Sequence, residues 1–199
     1  MHKFFFNLVF IIFLQHTSCL NAQGIEFNSS DFPIINRTSY NVFEYKQPKF
    51  SGEFNIDFEL SIKDPDKFGY IINIKDNKNP VSYSLVYVSV DKDYGEIKLN
   101  LDGVKTLVSI PFLKDIFNLS SWIRIYLNFN PVTKEITLSV NGKEDFSKEN
   151  KFKLRIEPEI YFGKHRSIID VPPISIKDLS IKNNKSLYYF GLNESEGNK

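Results

Sequence analysis

The chain has 199 residues, with 25 Lys plus Arg against 24 Asp plus Glu, so its formal charge is close to neutral. That balance gives no basic field of the kind nucleic-acid binding needs. With 42% hydrophobic residues, it also lacks the composition of a disordered chain, and the length fits one domain.

Met1 to Ala22 opens with Lys3, continues through Phe4-Phe5-Phe6 and an apolar Leu8–Leu14 run, and closes on Leu20-Asn21-Ala22. This is the pattern of a secretory signal peptide. The apolar part is short against the about 20 residues a membrane-spanning helix needs; an uncleaved anchor is the alternative. A lipoprotein signal around Cys19 fits less well, because His16 stands where an aliphatic residue is expected. The expected product begins near Gln23 and is secreted or held at the cell surface, with membrane contact only through the signal sequence. Removing 22 residues leaves 177, enough to bury a core without disulfides. Cys19, the single cysteine, leaves with the signal, and His165 becomes the only histidine.

Residues 23–49 read as an N-terminal strand and linker, and 50–190 as the folded domain. Phe54, Ile56, Phe58, Leu60 and Ile62 alternate with Glu53, Asn55, Asp57, Glu59 and Ser61, which is the period of a strand buried on one face. Asp64-Pro65-Asp66 is a turn. Gly69 to Ile74 is apolar enough for a strand buried on both faces, and Asp76–Pro80 is loop. Ser84–Val90 is a further strand with Val86, Val88 and Val90 in phase. Glu96–Leu101 and Thr106–Ile110 flank Asp102-Gly103, a hairpin signal. Phe112–Phe117 is the one place for a short helix or 3₁₀ turn.

Trp122 to Gly142 carries the strongest pattern. Ile123, Ile125, Leu127 and Phe129 share one face and Arg124, Tyr126 and Asn128 the other. Asn130-Pro131 breaks that strand, Ile136, Leu138 and Val140 begin the next, and Asn141-Gly142 ends it in a second hairpin signal. The chain then reads as charged and irregular to Lys151. Phe152, Leu154 and Ile156 form a modest strand, Ile160–Phe162 another, and Gly163–Pro173 a loop. Ile174 and Ile176 fall out of phase with Leu179 and Ile181, which predicts a β-bulge near Lys177-Asp178. Leu187–Phe190 is a last apolar run, and 191–199 is a polar tail. Short strands joined by hairpin turns, without an amphipathic helix, predict an antiparallel all-β sandwich or barrel. Leu127 and Phe58 are its expected core residues.

The Trp122–Leu127 strand followed by Ile136-Thr-Leu-Ser-Val-Asn-Gly142 resembles the central hairpin of laminin G-like domains, of the concanavalin A-like lectin and glucanase superfamily. Ile160-Tyr-Phe-Gly163 and Ile176-Lys-Asp-Leu-Ser-Ile181 resemble the last two strands of those domains. The likeness spans Phe50 to Ile181 and implies a jelly-roll β-sandwich that binds sugars or protein surfaces. Leu187 to Gly197 is similar to the opening strand of another such domain; a frayed terminal strand is the alternative.

The catalytic, laminarinase-type branch of that superfamily carries Glu-x-Asp-x-x-Glu. Here Glu53, Asp57 and Glu59 share a face, but the outer pair stands about 20 Å apart at strand rise, against roughly 5 Å for a retaining pair. No catalytic residues are assigned, and the chain is not expected to be an enzyme. A serine triad has only His165 as base, zinc would have one histidine and no cysteine, and there is no Gly-rich phosphate loop. No cofactor or metal site is assigned; calcium stays open, with Asp91/Asp93 and Asp64/Asp66 as candidate ligand pairs. Two surfaces are candidate binding sites. One is the polar face of the central hairpin, with Arg124, Tyr126, Asn128 and Trp122 at its rim, where aromatic faces and forked donors suit sugar rings; packing of Trp122 and Tyr126 beneath a sheet or loop is the alternative. The other is the Gly163–Pro173 loop with His165, Arg166 and Asp170, unless Asp170 simply pairs with Arg166. The expected partner is a glycan or an extracellular protein surface. The expected function is a non-catalytic secreted carbohydrate-binding or recognition module. The alternatives are a structural interaction domain and a laminarinase-type glycoside hydrolase. Asn36-Arg37-Thr38 and Asn118-Leu119-Ser120 matter only in a glycosylating host.

Overall fold

Alternation over nine residues makes Phe54–Ile62 a strand whose odd and even side chains part completely, every second one buried. The computed structural model describes residues 24–117, 122–166 and 168–192. The expected signal peptide, the Asn118–Ser120 sequon and the end of the tail lie outside those residues. Fifteen strands are present among them: β1 (Ile25–Glu26), β2 (Ser39–Asn41), β3 (Phe50–Ser51), β4 (Phe54–Ile62), β5 (Gly69–Asp76), β6 (Ser82–Ser89), β7 (Tyr94–Leu101), β8 (Lys105–Leu113), β9 (Ile123–Asn130), β10 (Glu135–Val140), β11 (Lys143–Ser147), β12 (Arg155–Ile156), β13 (Pro158–Gly163), β14 (Ile174–Asn183) and β15 (Leu187–Phe190). Two 3₁₀ turns, Ile34–Asn36 and Lys114–Phe117, complete them; the second falls in the segment expected to hold one.

All pairings are antiparallel. The first sheet runs β1-β14-β4-β9-β10-β11, with β15 also on β14; the second runs β2-β13-β5-β6-β7-β8; β3 and β12 form a small ribbon. The 24–49 segment thus places β1 in one sheet and β2 in the other. The run 187–190 pairs with β14 within this same sandwich.

One apolar layer fills the space between the sheets. Phe58, Leu60, Ile125, Leu127 and Phe129 enter it from the first sheet, and Ile72, Ile74, Leu85, Leu99 and Ile160 from the second. Both hairpin signals close as expected: Asp102, Gly103, Asn141 and Gly142 all take positive φ, the conformation a type I′ turn requires. The bulge lies between Lys177 and Ser180, with Asp178 at φ 50°.

Three readings of the sequence are corrected. The face of β6 that enters the core carries Tyr83, Leu85 and Tyr87, all fully buried, while Val90 is exposed. The other face carries Val86 and Val88 beside Ser82 and Ser84, so apolar residues fall on both sides and the in-phase valines did not mark the inner one. The segment after Gly142 is not irregular: Lys143–Ser147 pairs with β10. Its residues are mostly exposed, as suits a charged edge strand. The expected strand over Phe152–Ile156 shrinks to Arg155–Ile156, with Leu154 exposed.

A buried ammonium ties one end of the sandwich. Lys114, its side chain only 6% exposed, donates from Nζ to Asp66 Oδ1 at 2.6 Å and Ser89 Oγ at 2.7 Å. Truncating Asp66 to Ala will strand that charge and cost about 2 kcal/mol in urea unfolding. Lys114→Met, which removes the charge and keeps the stem, will cost about half as much. Equal losses for the two variants would refute this account.

Candidate binding site

Strand register sets the outward face of the first sheet. Glu59 sits between Lys177 on β14 and Arg124 on β9; Asp57 sits between Ser180 and Tyr126; Asn55 sits between Lys182 and Asn128. These side chains point outward because their neighbours fill the core.

The acids on this face are engaged. Arg124 grips Asp57 with both arms, Nε to Oδ1 at 2.9 Å and NH2 to Oδ2 at 2.5 Å. The forked geometry fixes both side chains, and the carboxylate raises the guanidinium pKa further. Lys177 Nζ meets Glu59 at 3.0 Å. Asn128 donates to Glu53 Oε1 at 2.7 Å and Asn130 to Oε2 at 3.4 Å.

At the bulge this face becomes concave. A depression of about 310 Å³ opens between β4, β9, β14 and β15, lined by Asp57, Glu59, Arg124, Asp178, Leu187 and Tyr189. Tyr189 is exposed and donates its hydroxyl to Asp178 Oδ1 at 2.9 Å, which raises the phenol pKa. The site therefore has an aromatic wall, a forked cation and carboxylate oxygens around one open space.

Of the first set of sequence candidates, Arg124 lines this depression. Tyr126, half-buried, stands opposite Asp57 in the register, and Asn128 is one row further along, held by Glu53. Trp122 is half-buried. Lys177 Nζ lies 4.4 Å above its ring, and a Cβ on Gly24 would come within 2.9 Å of it. The cation–π contact ties Trp122, just before β9, to β14 across the outward face.

The second set does not join them. The loop leaves β13 in the other sheet, and His165 stacks on Tyr161 with centroids 3.8 Å apart. Burial, then the nearby Arg166, lowers the His165 pKa. Arg166 is exposed at φ 45°. Asp170 pairs with Arg37 at 3.7 Å rather than with Arg166, a partner far upstream that local spacing did not suggest. Asp178 and Tyr189, missed in the sequence reading, had one signal: the phase slip that marked the bulge.

The proposed calcium pairs are occupied by local turns. Asp91 Oδ1 accepts from the backbone N–H groups of Asp93 and Tyr94, which lowers its pKa. Asp64 Oδ1 accepts from the Asp66 N–H, and Asp66 holds Lys114. Among the described residues no three His, Cys, Asp or Glu side chains converge as a metal set.

No family model matches the sequence, and no curated protein matches it significantly. Solved structures do match the fold. A heptameric, SAP-like pentraxin from Limulus polyphemus aligns with a TM-score of 0.57 at 12% identity, over 81% of this chain and 76% of its own. Domains LG4-5 of the mouse laminin α1 chain align at 0.54 and 13% identity, over 88% of this chain and 46% of theirs. The fold is a laminin G-like, concanavalin A-like jelly roll. A tailspike protein 2 from an Escherichia coli O157:H7 bacteriophage aligns at 0.51 and 13% identity, covering 82% of this chain and 23% of its own. Within this jelly roll the depression lies on the outward face of the first sheet, where β15 pairs with β14 beyond the bulge.

Proposed function

We propose that this chain is a secreted, non-catalytic carbohydrate-binding module, and that it holds its glycan in the Tyr189–Arg124 depression. One observation carries the reading: an exposed phenol ring faces a forked Arg124–Asp57 pair across an open space. An aromatic plane takes the apolar face of a sugar ring, and fixed charged groups bridge vicinal hydroxyls. The acids argue against glycoside hydrolysis. That chemistry needs two carboxyl groups at a set spacing across the scissile bond, whereas Glu53 stands about 20 Å of strand rise from Glu59 and Asp57 is locked in the Arg124 fork.

Glycan-array screening followed by calorimetry tests this. Tyr189→Ala and Arg124→Ala will each weaken the best glycan about tenfold or more, the cost of one stacking contact or one charged hydrogen bond. Arg166→Ala, on the other sheet, will leave affinity unchanged. Polysaccharides incubated with the protein will release no reducing ends, and Asp57→Asn will not alter that. Absence of any glycan binding, or a loss with Arg166→Ala alone, would refute the assignment and favour an interaction domain without a small ligand.

A further inference from the structure

The loop Asp31–Arg37 turns its polar backbone inward and its apolar side chains outward. Arg37, 11% exposed, donates from Nε to Phe32 O at 3.0 Å, from NH2 to Ser30 O at 3.1 Å and from NH1 to Ile169 O at 2.6 Å. Asn28 Nδ2 donates to Asn36 O at 2.9 Å, and Lys164 Nζ to Ile34 O at 2.9 Å. Pro33 O accepts the Asn36 N–H at 2.8 Å. Five side-chain hydrogen bonds from three residues thus hold the tip in one shape.

What that shape presents is apolar. Phe32 is 46% exposed, Ile34 48% and Ile35 86%, and the 3₁₀ turn has no buried residue. Phe68, 57% exposed, follows Lys67, which bonds Asp31 at 2.8 Å, and borders the base of the loop at Ser29 and Ser30. The ammonium of Lys164 stands against the tip, at Ile34 O, and Arg166, two residues further along the chain, is exposed.

We propose that this tip docks on the interface of an anionic lipid bilayer. Three features favour lipid over a protein partner. The tip is a short loop with three exposed apolar side chains, Phe32, Ile34 and Ile35, which cannot supply the roughly 800 Å² per partner of a stable protein interface. Insertion into lipid requires that backbone carbonyls be satisfied internally, and those of Ser30, Phe32, Pro33, Ile34 and Asn36 are. Cations flanking an apolar tip meet anionic headgroups at the depth to which short apolar insertions reach.

Sedimentation with vesicles of phosphatidylcholine, alone and with phosphatidylserine added, tests the proposal. The full chain is compared with its Phe32→Ser/Ile35→Ser variant; residues 1–23 are common to both, so any vesicle affinity of theirs cancels. Both substitutions are at exposed sites, and an unchanged urea midpoint will verify folding. Partition of the parent will rise with phosphatidylserine, and the variant will lose about tenfold. Ile34→Ser, a single change, will give a smaller loss in the same direction. Equal partition of parent and variant, or no binding to either vesicle, overturns the proposal. So does a parent dimer in sedimentation velocity that the same variant abolishes, since the tip is then covered by a second copy. These outcomes are independent of glycan binding at Tyr189.

Discussion

Phe129→Ala will lower the unfolding free energy by about 3–5 kcal/mol, more than any other single substitution considered for this protein. The ring stacks on Phe54 of β4 at 4.9 Å and 11°. It also meets Tyr83 of β6 at 5.3 Å and Phe152 at 5.4 Å. It therefore joins the two sheets and the segment that leads into β12. Alanine leaves a ring-sized void bounded by three other rings, whose flat shapes and fixed backbones cannot collapse into it. Phe129→Leu, which refills part of the space, will cost about 1–2 kcal/mol. Urea unfolding measures both: the midpoint must fall while the slope stays constant. A loss under 1 kcal/mol for the alanine variant would mean that the sheets are not held through this cluster. Leu127 and Phe58, fully buried on the same layer, will behave alike at a smaller magnitude. Arg124, on the outward face, will not.

The contrast between Phe129 and Arg124 shows what sequence could reveal. Period-two alternation over β4, β9 and β10 sorts core from surface because each strand has one apolar and one polar face. The Asn-Gly and Asp-Gly turns are legible because few other residues adopt positive φ in succession. Even the bulge at Lys177–Ser180 is visible, as a phase slip between two short apolar pairs. Where apolar residues fall on both faces, as in β6, the pattern no longer says which is inside. Where neither is, as in β11, it does not announce a strand at all; Lys143–Ser147 is specified by its hairpin turn and its partner.

The site was less legible for a related reason. Arg124 could be placed on an outward face, but the depression beside it exists only because β15 pairs across the bulge and brings Tyr189 to Asp178. Arg37 likewise became visible only in three dimensions. In the sequence it is part of a sequon; in the fold it closes four groups contributed by residues 30, 32, 169 and 170. Spacing along a strand reports which side chains share a face. It does not report which loop or edge strand returns to meet them.

Two tyrosines make the fold sensitive to alkali. Tyr83 is fully buried; its hydroxyl accepts the Lys151 N–H at 2.6 Å, and burial pushes its pKa up to about 12. Asp102 and Glu149 nearby oppose the phenolate further. Tyr87 is buried too and donates its hydroxyl to Pro65 O; burial first, then Asp66 and Asp64, raises its pKa well above the ordinary value. In the unfolded chain both phenols titrate near 10. The folded values are raised, so the stabilising contribution is complete below pH 10 and drains away as pH climbs from 10 through the folded pKa. For Tyr83 the two-unit gap corresponds to about 2–3 kcal/mol. Unfolding free energy measured in urea will be flat between neutral pH and about 9 and then fall steeply above 10. Tyr83→Phe starts lower, because the Lys151 N–H loses its acceptor, and its alkaline slope will be shallower than the parent's. An unchanged slope in that variant would place the alkaline sensitivity elsewhere in the chain.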